Sequence, residues 1–183
     1  MKSIRLAMLC VLVTVAMTTT AFAAKGDKEI DFGAGLASDP YGGFGVGWGG
    51  NLGGGYEFFD EFTPGISGDT LQLRGDIEFH RWSAGDFGNV TVWRLPVTVS
   101  RRYYFPIRPV KNLRVYGQAG LELSFDHASA DGLSPSSEVN LGVTPGAGVE
   151  YRLNNQFFLT AGMNGHLISD PYLTVQGGLG FLF

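Results

Sequence analysis

The chain has 183 residues, 13 basic and 17 acidic, for a formal net charge of −4, a balance that argues against nucleic acid as a partner. Its 28 glycines are scattered through apolar stretches and its aromatic content is 13%; such segments are poor helix material, and no 3.6-residue periodicity follows residue 23. With one cysteine, Cys10, it carries neither a disulfide framework nor a cysteine-based metal site.

Residues 1–23 read as a cleavable signal peptide. Lys2 and Arg5 form a positive start, an apolar run follows over residues 6–17, and Ala21-Phe22-Ala23 supplies the small residues that precede cleavage before Ala24. The run falls short of the roughly 20 apolar residues of a spanning helix. Cys10 lies inside it, and Ala7-Met8-Leu9 lacks the small residues that precede an acylated cysteine. Cleavage leaves 160 residues (183 − 23), one domain over 24–183, with 11 basic residues (13 minus Lys2 and Arg5) against 17 acidic.

Alternation of period two then recurs along the chain, as strands require. Segment one, residues 29–37, sets Ile30, Phe32, Ala34 and Leu36 against Asp31, Gly33 and Gly35, and Ser38-Asp39-Pro40 turns the chain. Segment two, from about Gly42 to Phe58, has Phe44, Val46, Trp48, Leu52, Tyr56 and Phe58 in phase, with Gly45, Gly47, Gly49, Asn51 and Glu57 between them. Residues 60–69, with Pro64-Gly65 and Gly68, form a connection. Segment three sets Leu71, Leu73, Ile77 and Phe79 against Gln72, Arg74, Asp76, Glu78 and His80.

Segment four follows a loop at 85–89, with Trp93, Leu95, Val97, Val99, Tyr103 and Phe105 facing away from Arg94, Thr98, Ser100, Arg102 and Tyr104. Arg101 breaks the apolar phase near the segment's end, where a charge costs little. Residues 106–111 begin with a proline and end the strand. Segment five sets Leu113, Val115, Ala119, Leu121, Leu123 and Phe125 against Arg114, Tyr116, Gln118, Glu122, Ser124 and Asp126. Residues 127–137 read as a polar loop. Segment six opposes Val139, Leu141, Val143, Ala147, Val149 and Tyr151 to Asn140, Thr144, Glu150 and Arg152, and Asn154-Asn155 predicts a tight hairpin turn. Segment seven opposes Phe157, Leu159, Ala161, Met163 and Leu167 to Phe158, Thr160, Asn164 and His166, and Asp170-Pro171 turns into the last strand. There Leu173, Val175, Gly177, Leu179 and Phe181 alternate with Thr174, Gln176, Gly178 and Gly180, and the chain stops at Phe183.

A soluble barrel or sandwich and a transmembrane barrel both accommodate such a pattern, and the two faces decide between them. The charged face is rich in small residues, as a narrow lumen needs. The apolar face carries aromatics near strand ends: Phe32, Tyr56, Phe58, Tyr103, Phe105, Tyr151, Phe157 and Phe183 towards one rim, Phe44, Phe79, Trp93 and Phe125 towards the other. Two aromatic girdles around an apolar band predict an all-β, eight-stranded, antiparallel up-and-down transmembrane β-barrel.

The runs from Val97 to Pro106, Val115 to Ser124 and Gly146 to Leu153, with the aromatic end, resemble the small OmpA/OmpX-type outer membrane protein β-barrel domains. The resemblance spans nearly all of the chain after the signal peptide. It implies a location in the outer membrane of a Gram-negative bacterium, with both termini in the periplasm. It implies contact with outer-membrane lipid and lipopolysaccharide, and recognition of Phe181 and Phe183 by the barrel-insertion machinery. A monomer without cofactors is expected. The connection at 60–69 is longer than the family's usual periplasmic turns, and the first outer loops are short.

Arg74, Asp76, Glu78, His80, Arg94, Arg102, Arg114, Glu122, Glu150 and Arg152 share the inward face. They form either a polar conduit or a structural ion-pair network; eight strands leave room for side chains and little else, which favours the network. Lipid A deacylases, eight-stranded barrels with Ser, His and an acidic residue on the lipid-facing surface, invite comparison through His166 and Ser169. Those enzymes show His-x-Ser, whereas the spacing here is His-x-x-Ser; parity aims His166 inward, and the last strand has no acid to orient it. His80, His127 and His166 lie on different segments without metal-ligand spacing, and no helix or lysine follows Gly43-x-Gly45-x-Gly47 to cradle phosphate. The expected role is structural or surface-interacting, without catalysis; a narrow channel or carrier of small hydrophobic ligands, a deacylase-like enzyme and a periplasmic sandwich are the alternatives.

Overall fold

The computed structural model describes residues 28–39, 45–58, 63, 67–83, 88–105, 110 and 112–183. The predicted signal peptide and Phe44 lie outside them. Alternation becomes eight strands: β1 (Lys28–Ser38), β2 (Val46–Phe58), β3 (Asp69–Ser83), β4 (Asn89–Phe105), β5 (Leu113–Ala130), β6 (Ser136–Arg152), β7 (Phe157–His166) and β8 (Tyr172–Leu182). Each pairs antiparallel with the next, and β8 pairs with β1 to close the barrel. The seam extends to the last residue, where Phe183 N–H donates to Lys28 O at 3.0 Å.

Sidedness follows the alternation. Leu141 is 74%, Leu121 64%, Phe32 57% and Trp48 56% exposed, all pointing out; Arg94 is 2%, Glu122 1% and Ser124 0% exposed, all pointing in. A water-soluble barrel would invert this, because apolar surface left in water costs about 25 cal/mol per Å². Closure also satisfies the backbone where no water can. Aromatic contacts mark the two rims. Tyr56–Phe58, Tyr103–Phe105 and Phe157–Phe181 pack with centroids 4.8, 5.0 and 5.2 Å apart near the termini, and Trp48–Phe79–Trp93 runs across three strands at 5.6 and 5.0 Å towards the far rim.

The polar stretch at 127–137 is a loop only over residues 131–135. Strand β5 continues to Ala130 and β6 starts at Ser136, with His127 opposite Ser137 and its Nδ1 2.8 Å from that hydroxyl. Polarity marks where this hairpin leaves the apolar band, not where its ladder stops. The Asn154-Asn155 turn is wider than a two-residue hairpin: Leu153 N–H donates to Phe157 O, and Asn154 Oδ1 accepts from the N–H groups of Gln156 and Phe157. The phase break at Arg101 has a partner, Asp69, at 2.7 Å across the β3–β4 pair near the terminal rim. Prolines also sit inside two strands. The ladder between β3 and β4 skips Pro96, and that between β6 and β7 skips Pro145, consistent with their missing N–H.

One part of the lumen is apolar. Ala37, Trp82, Val90, Val92 and Tyr172 are buried together towards the far rim, with Ala128, Ala130 and Ile168 against them, and Trp82 Nε1–H donates to Ala37 O at 3.3 Å. Polarity assigns charge to the lumen and apolar side chains to the wall, so it gives no sign of the inward Trp82, Val90 and Val92.

Candidate functional site in the barrel lumen

Every inward charge must either be paired or be expelled by its desolvation cost. The ten sequence-predicted lumen residues divide into four clusters stacked between the rims. Towards the far rim, Arg94 on β4 reaches three carboxylates: Glu122 at 2.7 Å, Asp126 at 3.0 Å and Glu78 at 3.3 Å. Glu78 and Asp126 lie directly opposite Arg94 on the neighbouring strands, so the register delivers them. His80 Nε2 contacts Glu78 at 3.3 Å, and His166 Nδ1 contacts Glu122 at 2.8 Å. Thr144 donates to Glu122 at 2.6 Å, and Asn140 donates to Asp126 at 2.9 Å. Tyr172 closes the cluster from above, stacked on His166 at 4.4 Å, with the Arg94 guanidinium 4.8 Å from its ring centroid.

The second cluster centres on Arg74. It meets Asp31 and Asp76 at 2.6 Å and Glu29 at 3.0 Å; Gln72 donates to Glu29 at 2.7 Å. Gly53 leaves room beside it: a Cβ there would meet Asp76 Oδ1 and Arg74 Nη2, so a larger residue would have to displace that pair. The third joins Arg102 to Glu57 at 3.4 Å and to Gln118 Oε1 at 3.0 Å, with Tyr104 donating to Glu57 at 2.6 Å. In the fourth, Arg114 and Arg152 each sit 3.2 Å from Glu150, and Arg114 lies over the Tyr104 ring at 3.6 Å. Tyr104 therefore ties the last two clusters together near the terminal rim.

Glu29, Asp31, Glu57 and Asp126 also belong to these clusters. Parity places Asp31, Glu57 and Asp126 on the polar faces, and the same count extended by two residues reaches Glu29; the identity of each partner could not be read, because it depends on which strands face one another across the lumen. Between the clusters lies a cavity of about 90 Å³, lined by Asp31, Arg74, Glu78, Thr98, Glu122 and Asn164 among others. Two of the four clusters set one arginine against three carboxylates, so the walls carry an acidic surplus.

The matching family model is the outer membrane protein beta-barrel domain, over residues 8–183. The chain belongs to that family. Its barrel is similar to OprG from Pseudomonas aeruginosa, with a TM-score of 0.57 and 16% identity over 86% of this chain and 96% of that one. It is also similar to Neisserial surface protein A (TM-score 0.54, 20% identity, 86% and 97% covered) and to Ail, the attachment invasion locus protein of Yersinia pestis (0.51, 20%, 87% and 100%). A search of curated proteins finds no match.

As a member of this family the protein resides in the outer membrane, and its apolar outer wall meets lipid. His166, which the comparison with deacylases singled out, points inward and is 4% exposed. It stands between Glu122 and Thr174, with its Nε2 3.3 Å from the Thr174 hydroxyl, the order of an acid–His–hydroxyl relay. The orienting acid comes from β5 and not from the last strand. Thr174 is itself 3% exposed and its hydroxyl also donates to Asn164 O at 3.3 Å, while Ser169 lies in the turn between β7 and β8, outside the lumen cluster. Among the described residues no three His, Cys, Asp or Glu side chains are grouped to hold a metal ion.

Proposed function

We propose that the protein is a closed, non-catalytic outer-membrane barrel with a structural or surface-interaction role, its lumen filled by the ion-pair clusters. The observation that carries this reading is the filling of the lumen at both ends. Trp82, Val90, Val92 and Tyr172 sit above the Arg94 cluster, and Tyr104, Phe158 and Leu182 are buried towards the termini. Between them, Arg74 and Arg102 reach past a neighbouring strand to acids on β1 and β2, and Arg94 gathers acids from the strands on either side of it. In this reading both termini and the 153–156 turn face the periplasm, and the partners are lipid, lipopolysaccharide and, during biogenesis, the insertion machinery. The barrel acts as a monomer.

Planar-bilayer recording tests it. Purified barrel is expected to add no stable conductance steps. Persistent cation-selective steps would favour the second reading, a narrow channel, which the acidic surplus around the 90 Å³ cavity would suit. Catalysis has a separate check: lipid A incubated with the barrel is expected to keep every acyl chain by mass spectrometry, and a lost chain would restore the enzyme reading.

A further inference from the structure

The far end of the lumen holds a second cavity, about 30 Å³, which the ion-pair clusters leave open. Trp82, Val92, Ala128 and Ile168 form its apolar walls, and Asp126, Glu138 and Asp170 line it as well. Asp126 is nearly buried, with Arg94 on one carboxylate oxygen at 3.0 Å and Asn140 on the other at 2.9 Å. Glu138 lies directly opposite it on β6, and two carboxylates so placed repel each other. Glu138 is exposed, Asp170 is half-buried, and neither has a cation among the described residues. Counting Glu78 and Glu122, five carboxylates gather at this end around the guanidinium of Arg94.

Tyr172 is a second, independent sign of a ligand. It starts on β8, and its ring lies 4.8 Å from the guanidinium of Arg94 on β4, the strand diametrically opposite, so its hydroxyl end borders the pocket. The residue is 7% exposed, and its hydroxyl has no hydrogen-bond partner among the described residues. A buried hydroxyl left unpaired is costly, and one that persists at a cavity wall is completed by what enters the cavity.

We propose that this pocket binds small linear diammonium cations from the solvent at the far rim. The assignment goes beyond a structural role and needs no open lumen. The cavity has room for about two water-sized groups, so the leading ammonium and its first methylenes enter while the rest of the chain stays at the mouth. Inside, the ammonium donates to Asp126, to Glu138 and to the Tyr172 hydroxyl oxygen, and relieves the repulsion between the two acids. The methylenes run along Val92, Ala128 and Ile168, and the second ammonium meets Asp170. An anion would face the carboxylate surplus. A metal ion fits poorly, because the walls between the acids are apolar and, among the described residues, no three acid or imidazole groups converge.

Titration of 1,4-diaminobutane into the isotope-labelled barrel in lipid nanodiscs, followed by amide chemical shifts at fixed ionic strength, tests this. The amides of Asp126, Glu138 and Asp170 are expected to shift and saturate, and sodium chloride alone to leave them in place. Butylamine, with one ammonium, should bind more weakly. Glu138→Gln and Asp170→Asn remove rim charges and are each expected to weaken binding about threefold. Tyr172→Phe keeps the stack on His166 and removes a hydroxyl that bonds nothing in the empty barrel. It is expected to weaken binding about tenfold without lowering the melting temperature. Absence of saturable shifts overturns the proposal. So does equal affinity for butylamine, or an affinity unchanged in all three variants while heat-modifiable gel mobility shows that each still folds.

Discussion

Arg94 shows what a single inward charge requires of its neighbours. Two strands, β3 and β5, contribute three acids to it and a third, β8, contributes the Tyr172 ring, so its removal leaves three carboxylates buried without their cation. Breaking a buried pair from one side costs roughly 3–5 kcal/mol. Arg94→Ala is therefore expected to lower the melting temperature in detergent, and an unchanged value would count against an integrated network. Glu122→Gln added to that variant should recover part of the loss, since one fewer carboxylate is left without a cation; strict additivity in this double-mutant cycle would mean that the two residues act independently. The glycines make a matching pair of tests. A Cβ at Gly180 would run into the ring of Phe158, which is 3% exposed and cannot retreat, whereas a Cβ at Gly177 would meet only Thr160 O at 3.6 Å. Gly180→Ala is expected to lower the urea midpoint of unfolding, at a cost of about 1–3 kcal/mol, and Gly177→Ala to leave it in place.

Strands were legible because burial here has a period of two and runs the length of each element. Facing away from lipid, Asp31, Gln72, Arg74, Arg94 and Glu122 all fall where counting by twos puts them. Ends were less legible. The pairing of His127 with Ser137 keeps the β5–β6 ladder going beyond the last apolar pair, and no change of residue type announces that. Contacts across the lumen were not legible at all: that Arg74 reaches Glu29 and Asp31 on β1, 43 to 45 positions earlier, follows from closure and shear. At the seam itself, Phe183 is 62% exposed, and its ring stacks on Phe181 at 6.0 Å. Phe183→Ala is expected to reduce the protein's yield in the outer membrane while barrel refolded in detergent keeps its heat-modifiable mobility; a loss confined to the refolded stability would contradict a signalling role for the terminal aromatic.

At the scale of the whole molecule the fold rests on one inversion: apolar side chains outside, ionised ones within. The chain supplies its own reporters for it. Trp48 and Trp93 point out of the wall and are 56% and 50% exposed, whereas Trp82, on the strand between theirs, points into the lumen and is 2% exposed. In three variants, each keeping one tryptophan and carrying Phe at the other two positions, fluorescence is measured in vesicles of brominated lipid. Strong quenching of Trp48 and Trp93 by the bromines, with Trp82 left bright, is the expected result; quenching of Trp82 with the other two spared would contradict it.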